Sequence, residues 1–171
     1  MKSQKNPKLL IVEDDEEQIE LLVSFALSEI QKLLDHENTS EQKRLILQSI
    51  SILKVRDVAS LKKAVSSQNE FLLALMDCNL PDIEGHPSHD QLIQTNYRIT
   101  GQHKPIDLVL KYSPSTPITM ISSFNRFQSL LNQFYESKHN LSINFIRKND
   151  QSRIRRNIAY YLRQYLSETT A

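Results

Sequence analysis

Cysteine is almost absent: Cys78 is the only one in the chain. One thiol excludes an internal disulfide and any multi-cysteine metal site, and it fits a reducing, cytoplasmic setting. An excess of one charge is missing as well, with a formal net charge of +1 and no dense basic and aromatic tract. A dedicated nucleic-acid binder is therefore not expected. Long apolar runs are lacking too. Nothing approaches the roughly 20 apolar residues of a membrane helix, so no membrane partner is expected. The "LLIV" near the N-terminus is too short for a signal-peptide core and runs straight into acids. Internal repeats and low-complexity linkers are also missing.

What remains is an ordinary globular composition, 39% apolar and 24% charged over 171 residues. That length suits one domain with a single good core. Residues 1–171 are read as that domain, with the core at about 8–166.

Short apolar runs alternate with helical patterns. Residues 8–12 stop at the cluster "EDDEEQ" and read as a buried strand. Ile19, Leu22, Val23, Ala26, Leu27, Ile30, Leu33 and Leu34 then share one helical face. "DHENTS" breaks that helix, and "EQKRLILQS" offers a second helical piece. Strands are expected at 50–56, 71–77 and 117–122 and in "INFIRK". Helices are expected at 59–67, in "PIDLVLKY", around Phe127, Leu130, Leu131 and Phe134, and through Ile154, Ile158, Leu162 and Tyr165. Alternation of this kind implies right-handed crossovers and a parallel sheet covered on both faces. The fold class is a three-layer, doubly wound α/β domain.

In such sheets ligands bind beyond the carboxyl ends of the strands. Here those ends carry Glu13 and Asp14, then Asp77, then Ser122 and Ser123, and finally Lys148. Carboxylates gathered at one crevice repel unless a cation sits between them. Hard oxygen ligands in small number favour Mg²⁺. A hydroxyl and an ammonium beside them would neutralise the oxygens of a transferring phosphoryl group. Asp77, carried out of an apolar strand to that spot, would then be a nucleophile.

Four stretches, "LLIVEDDEEQIELL", "LMDCNLPDIEG", "TPITMISSF" and "FIRKN", together resemble the receiver domain of two-component response regulators. "VRDVASLKKAV" fits that family's second strand and second helix. The resemblance runs from Lys8 to about Leu166 and implies five parallel strands in the flavodoxin-like order 2-1-3-4-5. It implies that Asp77 is the phosphoryl acceptor. Glu13, Asp14 and Asp77, with the backbone carbonyl of Asn79, would hold Mg²⁺. Ser122 and Lys148 would bind the phosphoryl group, and Ser122 and Phe145 would form the switch. The implied donor is a sensor histidine kinase or a histidine phosphotransfer protein. No second domain is visible after Leu166, so output is expected through contacts with a further protein or onward transfer.

The chain departs from the family pattern in three places. The connection from Asp14 to the second strand is long, because the first helix is extended or followed by an extra piece. The polar tract 86–104 reads as an insertion near the acceptor loop. Asn149 replaces the proline that usually follows the lysine. The Lys148-Asn149 bond is therefore expected trans, since cis costs about 2.5–4 kcal/mol without proline.

Plainer readings accompany several of these residues. Asp15, Glu16 and Glu17 open a helix, where exposed N–H groups favour negative charge. Taken singly, Asp77 could be a capping acid, Lys148 a surface lysine and Phe145 a core residue. His86, His89 and His103 are scattered and read as polar loop residues rather than a metal site. Arg153, Arg155, Arg156 and Arg163 read as a solvated face of the last helix. Three other functions are weighed. A pseudo-receiver would keep the fold as a protein-interaction module without being phosphorylated. A phosphatase of the haloacid dehalogenase type would need an acid where Asn79 stands. A flavodoxin-like cofactor binder would need a phosphate cradle where "EDDEE" would repel it.

Overall fold

The computed structural model describes residues 6–67, 71–80, 103–123 and 128–170. Most of the polar tract, with His86 and His89, lies outside the described residues, as does Phe127. Each apolar run forms a strand: β1 (Lys8–Val12), β2 (Ser51–Val55), β3 (Leu73–Asp77), β4 (Ile118–Ser122) and β5 (Asn144–Arg147). They make one parallel sheet in the order β2-β1-β3-β4-β5, as the resemblance implies. β3 starts later than the apolar run does. Phe71 spends its N–H on Thr116 Oγ1 at 3.2 Å, before the strand begins.

The helices are α1 (Glu16–Leu34), α2 (Glu41–Ser49), α3 (Val58–Ser67), α4 (Lys104–Tyr112), α5 (Gln128–His139) and α6 (Gln151–Thr169). Their starts follow from side-chain caps. Asp15 Oδ1 accepts from the N–H groups of Glu17 and Gln18 at 2.9 and 3.2 Å, so the acids after Asp14 serve helix initiation. Glu16 in turn pairs with Arg56 at the end of β2. Asp150 caps α6 through the N–H of Arg153 at 3.0 Å. α5 ends where Asn140 takes a left-handed conformation with φ 50°, which asparagine tolerates better than most residues.

Alternate strand residues feed opposite layers. Leu9 and Ile11 join a core with α1, α2 and α6, while Leu10 and Val12 join one with α3, α4 and α5. β3 and β4 are buried along their whole lengths, which is why their sequences lack polar alternation. Truncating a side chain such as Leu73 to alanine would cost about 2–5 kcal/mol.

One arginine is not part of a solvated face. Arg155 lies 4.2 Å from the Phe25 ring centre and reaches Ser28 Oγ at 3.1 Å and Glu29 at 3.5 Å. Helical spacing placed it correctly on α6, but α1 packs against that side, so the guanidinium ties two helices. Arg153, Arg156 and Arg163 are exposed.

Candidate functional site

The strand order reverses between β1 and β3, and the chain places its acids there. Val12 pairs with Met76, so Glu13 and Asp77 emerge side by side. The backbone N–H of Glu13 still bonds to the carbonyl of Val55 at 3.0 Å, which keeps Glu13 in the plane of the sheet. Glu13 is 1% exposed and Asp77 6%, whereas Asp14 faces solvent. One carboxylate oxygen from each of the three can be chosen so that all lie within 4.8 Å of one another.

Lys148 comes from the far side of the sheet. Ser122 pairs with Arg147 in the β4–β5 register, and the N–H of Lys148 donates to the Ser122 carbonyl at 3.0 Å. β5 is two strand spacings from β3, roughly 9.5 Å, a gap that a long side chain can span. Lys148 Nζ lies 2.8 Å from Glu13 Oε2 and 3.3 Å from Asp77 Oδ1. The Lys148-Asn149 bond is trans, since no cis bond occurs among the described residues. Asparagine makes that the cheaper form, and the ammonium still reaches both acids.

The electrostatics show how far one cation falls short of two buried anions. Burial, and then repulsion from Asp77, pushes the Glu13 carboxyl up to about 7, although Lys148 opposes the shift. Burial also raises Asp77, against Lys148 and the N–H groups of Cys78 and Asn79. For Lys148, burial disfavours the ammonium, but Asp77 and Glu13 outweigh it and hold the pKa above its ordinary value. Among the described residues, the buried Glu13 Oε2 is met by the Lys148 ammonium alone, in a charge-assisted contact of 2.8 Å. A divalent cation fits this set. It would relieve the repulsion and add a second positive partner for the two buried carboxylates that Lys148 alone now serves.

Ser122, Asn79 and Phe145 are placed as follows. Ser122 ends β4 and is buried. The N–H of Asn79 donates to Asp77 Oδ2 at 3.3 Å, so the turn after β3 folds back on the Asp77 carboxylate. Phe145 is not at the crevice. It lies inside β5 opposite Met120, 3% exposed in the α3–α4–α5 core, so its ring points inward in this conformation.

One residue that patterning sets aside stands out. His103 is 4% exposed, and its Nε2 lies 2.9 Å from the carbonyl oxygen of Cys78. It occupies the position before α4 but makes no side-chain cap, because its ring is turned to that carbonyl. Its backbone N–H donates to Tyr135 Oη at 2.9 Å, and Tyr135 Oη lies 2.7 Å from Asp107 Oδ1. Burial lowers the His103 pKa, with the Cys78 carbonyl and Asp107 working against it. Burial, followed by the bond to Asp107, raises that of Tyr135. The sequence signal was faint: a histidine just before "KPIDLVLKY" resembles any polar helix start.

No protein-family model matches the chain, and no curated protein matches it by sequence. Solved structures do match. The chain is similar to the N-terminal domain of a response regulator/sensory box/GGDEF three-domain protein from Carboxydothermus hydrogenoformans. That match has 15% identity and a TM-score of 0.54, over 95% of this chain and 98% of the other. A signal receiver domain of an HD domain-containing protein from Pseudomonas fluorescens Pf-5 gives 15% and 0.53, over 99% and 96%. A response regulator receiver protein from Sinorhizobium medicae WSM419 gives 12% and 0.51, over 94% and 98%. At these identities the likeness concerns the fold. The chain has the receiver-domain fold, with its buried acids at that fold's topological switch point.

Proposed function

We propose that this protein is a receiver that accepts a phosphoryl group on Asp77 in a Mg²⁺-dependent reaction and passes the signal on by protein contact. The observation that supports this best is the pair of buried carboxylates, Glu13 and Asp77, held by one ammonium beside exposed Asp14. A structural ion pair alone would not gather an excess of negative charge out of water.

The donor implied by the fold is the phosphohistidine of a sensor histidine kinase or of a histidine phosphotransfer protein. An Asp77 carboxylate oxygen forms the new bond to phosphorus as the nitrogen–phosphorus bond of the donor breaks, and the imidazole leaves with the electron pair. Glu13, Asp14, Asp77 and the Asn79 carbonyl would hold Mg²⁺, which would offset charge on the phosphoryl oxygens. Lys148, released from part of its pairing with the acids, would pair with a phosphoryl oxygen. The Ser122 hydroxyl would turn to meet another. Downstream, a second protein would read the resulting change, with Ser122 and Phe145 as the proposed switch.

Incubation with Mg²⁺ and acetyl phosphate, followed by intact-mass measurement, tests the reading. One phosphoryl adduct is expected, absent without Mg²⁺ and absent in Asp77→Asn. Unchanged mass under conditions that preserve acyl phosphates would favour the pseudo-receiver, and label surviving Asp77→Asn would place the acceptor elsewhere.

A further inference from the structure

The peptide unit between Cys78 and Asn79 is held from both sides. Its N–H, from Asn79, points to Asp77 Oδ2 at 3.3 Å. Its carbonyl, from Cys78, lies 2.9 Å from Nε2 of His103. A carbonyl only accepts, so Nε2 must carry the ring proton. His103 is fastened in turn, since its backbone N–H donates to Tyr135 Oη. The Tyr135 hydroxyl has one proton to give. Asp107 Oδ1 at 2.7 Å is the stronger acceptor than the His103 carbonyl at 3.0 Å, being charged and nearer. Tyr135 is fully buried, and its ring stacks on His139 near the end of α5 at 5.7 Å. A chain of polar contacts therefore runs from the residue after Asp77 to α4 and α5.

We infer that His103, fastened by Tyr135, is a positioning residue for the candidate site: it sets the tilt of the Cys78-Asn79 peptide. This rests on the reading of Asp77 as acceptor and of the Asn79 carbonyl as a cation ligand. A peptide is planar, so fixing its carbonyl fixes its N–H as well. That N–H bonds the acceptor carboxylate, and the next carbonyl along the chain is the one offered to the cation. His103 thus orients two groups of the site without touching either. It also gives the end of the polar tract 86–104 a task, because the last two residues of that tract are His103 and the first residue of α4. A core histidine serving only as filler would leave the Asn79 amide and the cation affinity untouched when replaced by an apolar residue of similar size.

Three variants separate these cases. His103→Leu keeps volume and removes the donor. His103→Gln keeps a donor N–H at about the reach of Nε2. Tyr135→Phe removes only the hydroxyl. Nitrogen-15 NMR of the wild-type ring should show the Nε2–H tautomer, and the Asn79 amide resonance should move in His103→Leu before any metal is added. Titration with Mg²⁺ alone, followed at the amides of residues 77–79, should show affinity weakened about tenfold or more in His103→Leu, as for other partners that orient metal ligands. His103→Gln should restore most of it, and Tyr135→Phe should fall between. The opposite ring tautomer, or a folded His103→Leu with wild-type affinity, would overturn the assignment, as would a glutamine variant no better than leucine. Should the leucine variant fail to fold, Tyr135→Phe decides: an unmoved Asn79 amide and unchanged affinity would refute the tie. A wild-type protein that binds no Mg²⁺ would instead sink the functional reading, while the tautomer and the Asn79 resonance would still report on the peptide contact itself.

Discussion

Glu13 carries the sharpest consequence at the residue scale. Its carboxyl is raised from 4.5 to about 7, through burial and then Asp77. A folded state that holds a proton more tightly than the unfolded chain loses stability as pH rises through that window. In metal-free protein this loss should run from about pH 4.5 to about pH 7 and amount to about 3 kcal/mol at one pKa unit per 1.36 kcal/mol. Glu13→Gln removes the titration. Urea unfolding without Mg²⁺ should show the variant more stable than wild type at pH 8, with the advantage vanishing near pH 5. Adding Mg²⁺ should stabilise wild type and leave the variant nearly unmoved. A variant less stable than wild type at pH 8 would mean that the ion pair with Lys148 outweighs the desolvation of Glu13.

Elements are joined here by a few polar ties laid over apolar packing. α1 and α6 cover one face of the sheet, and Arg155 links them through Phe25, Ser28 and Glu29. A cation over an aromatic face contributes roughly 0.5–1 kcal/mol at partly exposed sites. Arg155→Ala should therefore lower the urea midpoint by an amount equivalent to about 1 kcal/mol without changing the slope. No loss at all would show that the contact is only surface decoration. The plain reading of this helix failed at one position because charge and spacing do not reveal which neighbour covers a turn. The elements themselves were legible. Their apolar periods and capping acids, Asp15 and Asp150 among them, lie within a few residues of where they act.

For the molecule as a whole, the question is where an acyl phosphate at Asp77 would be felt. Phe145 already points inward, so the proposed Ser122 and Phe145 switch would hold this ring position in place once Ser122 turns, with little further ring motion. α5 is tied to the loop after Asp77 by another path, through Tyr135 and His103. A ligand shifts only an equilibrium whose two states it distinguishes, and modest backbone movement is expected. A beryllium fluoride mimic should perturb amide resonances in α5, β5 and α6, and Tyr135→Phe should blunt the share in α5. Perturbations confined to residues 77–80, with 128–166 still, would remove this face as the output surface. Among the described residues, no helix is long and apolar enough to cross a membrane.

Local order decided which residues became strands and helices, and it placed an acid, a hydroxyl or an amine at the ends of four of the five strands. Those features depend on period and on neighbours along the chain, so "LLIVEDDEE", "LMDCN", "TMISS" and "FIRKN" already carried them. Sequence alone also favoured a trans bond at Lys148-Asn149, because that preference belongs to the dipeptide. Tertiary structure decided how much water each charge keeps, and hence that Glu13 is buried while Asp14 beside it is not. It decided that Lys148 bridges two acids from two strands away, that Arg155 faces α1, and that His103 meets the Cys78 carbonyl after β3 instead of solvent. These are contacts between residues 25 to 135 positions apart. Their energies come from desolvation and from geometry across the sheet, which no local pattern encodes.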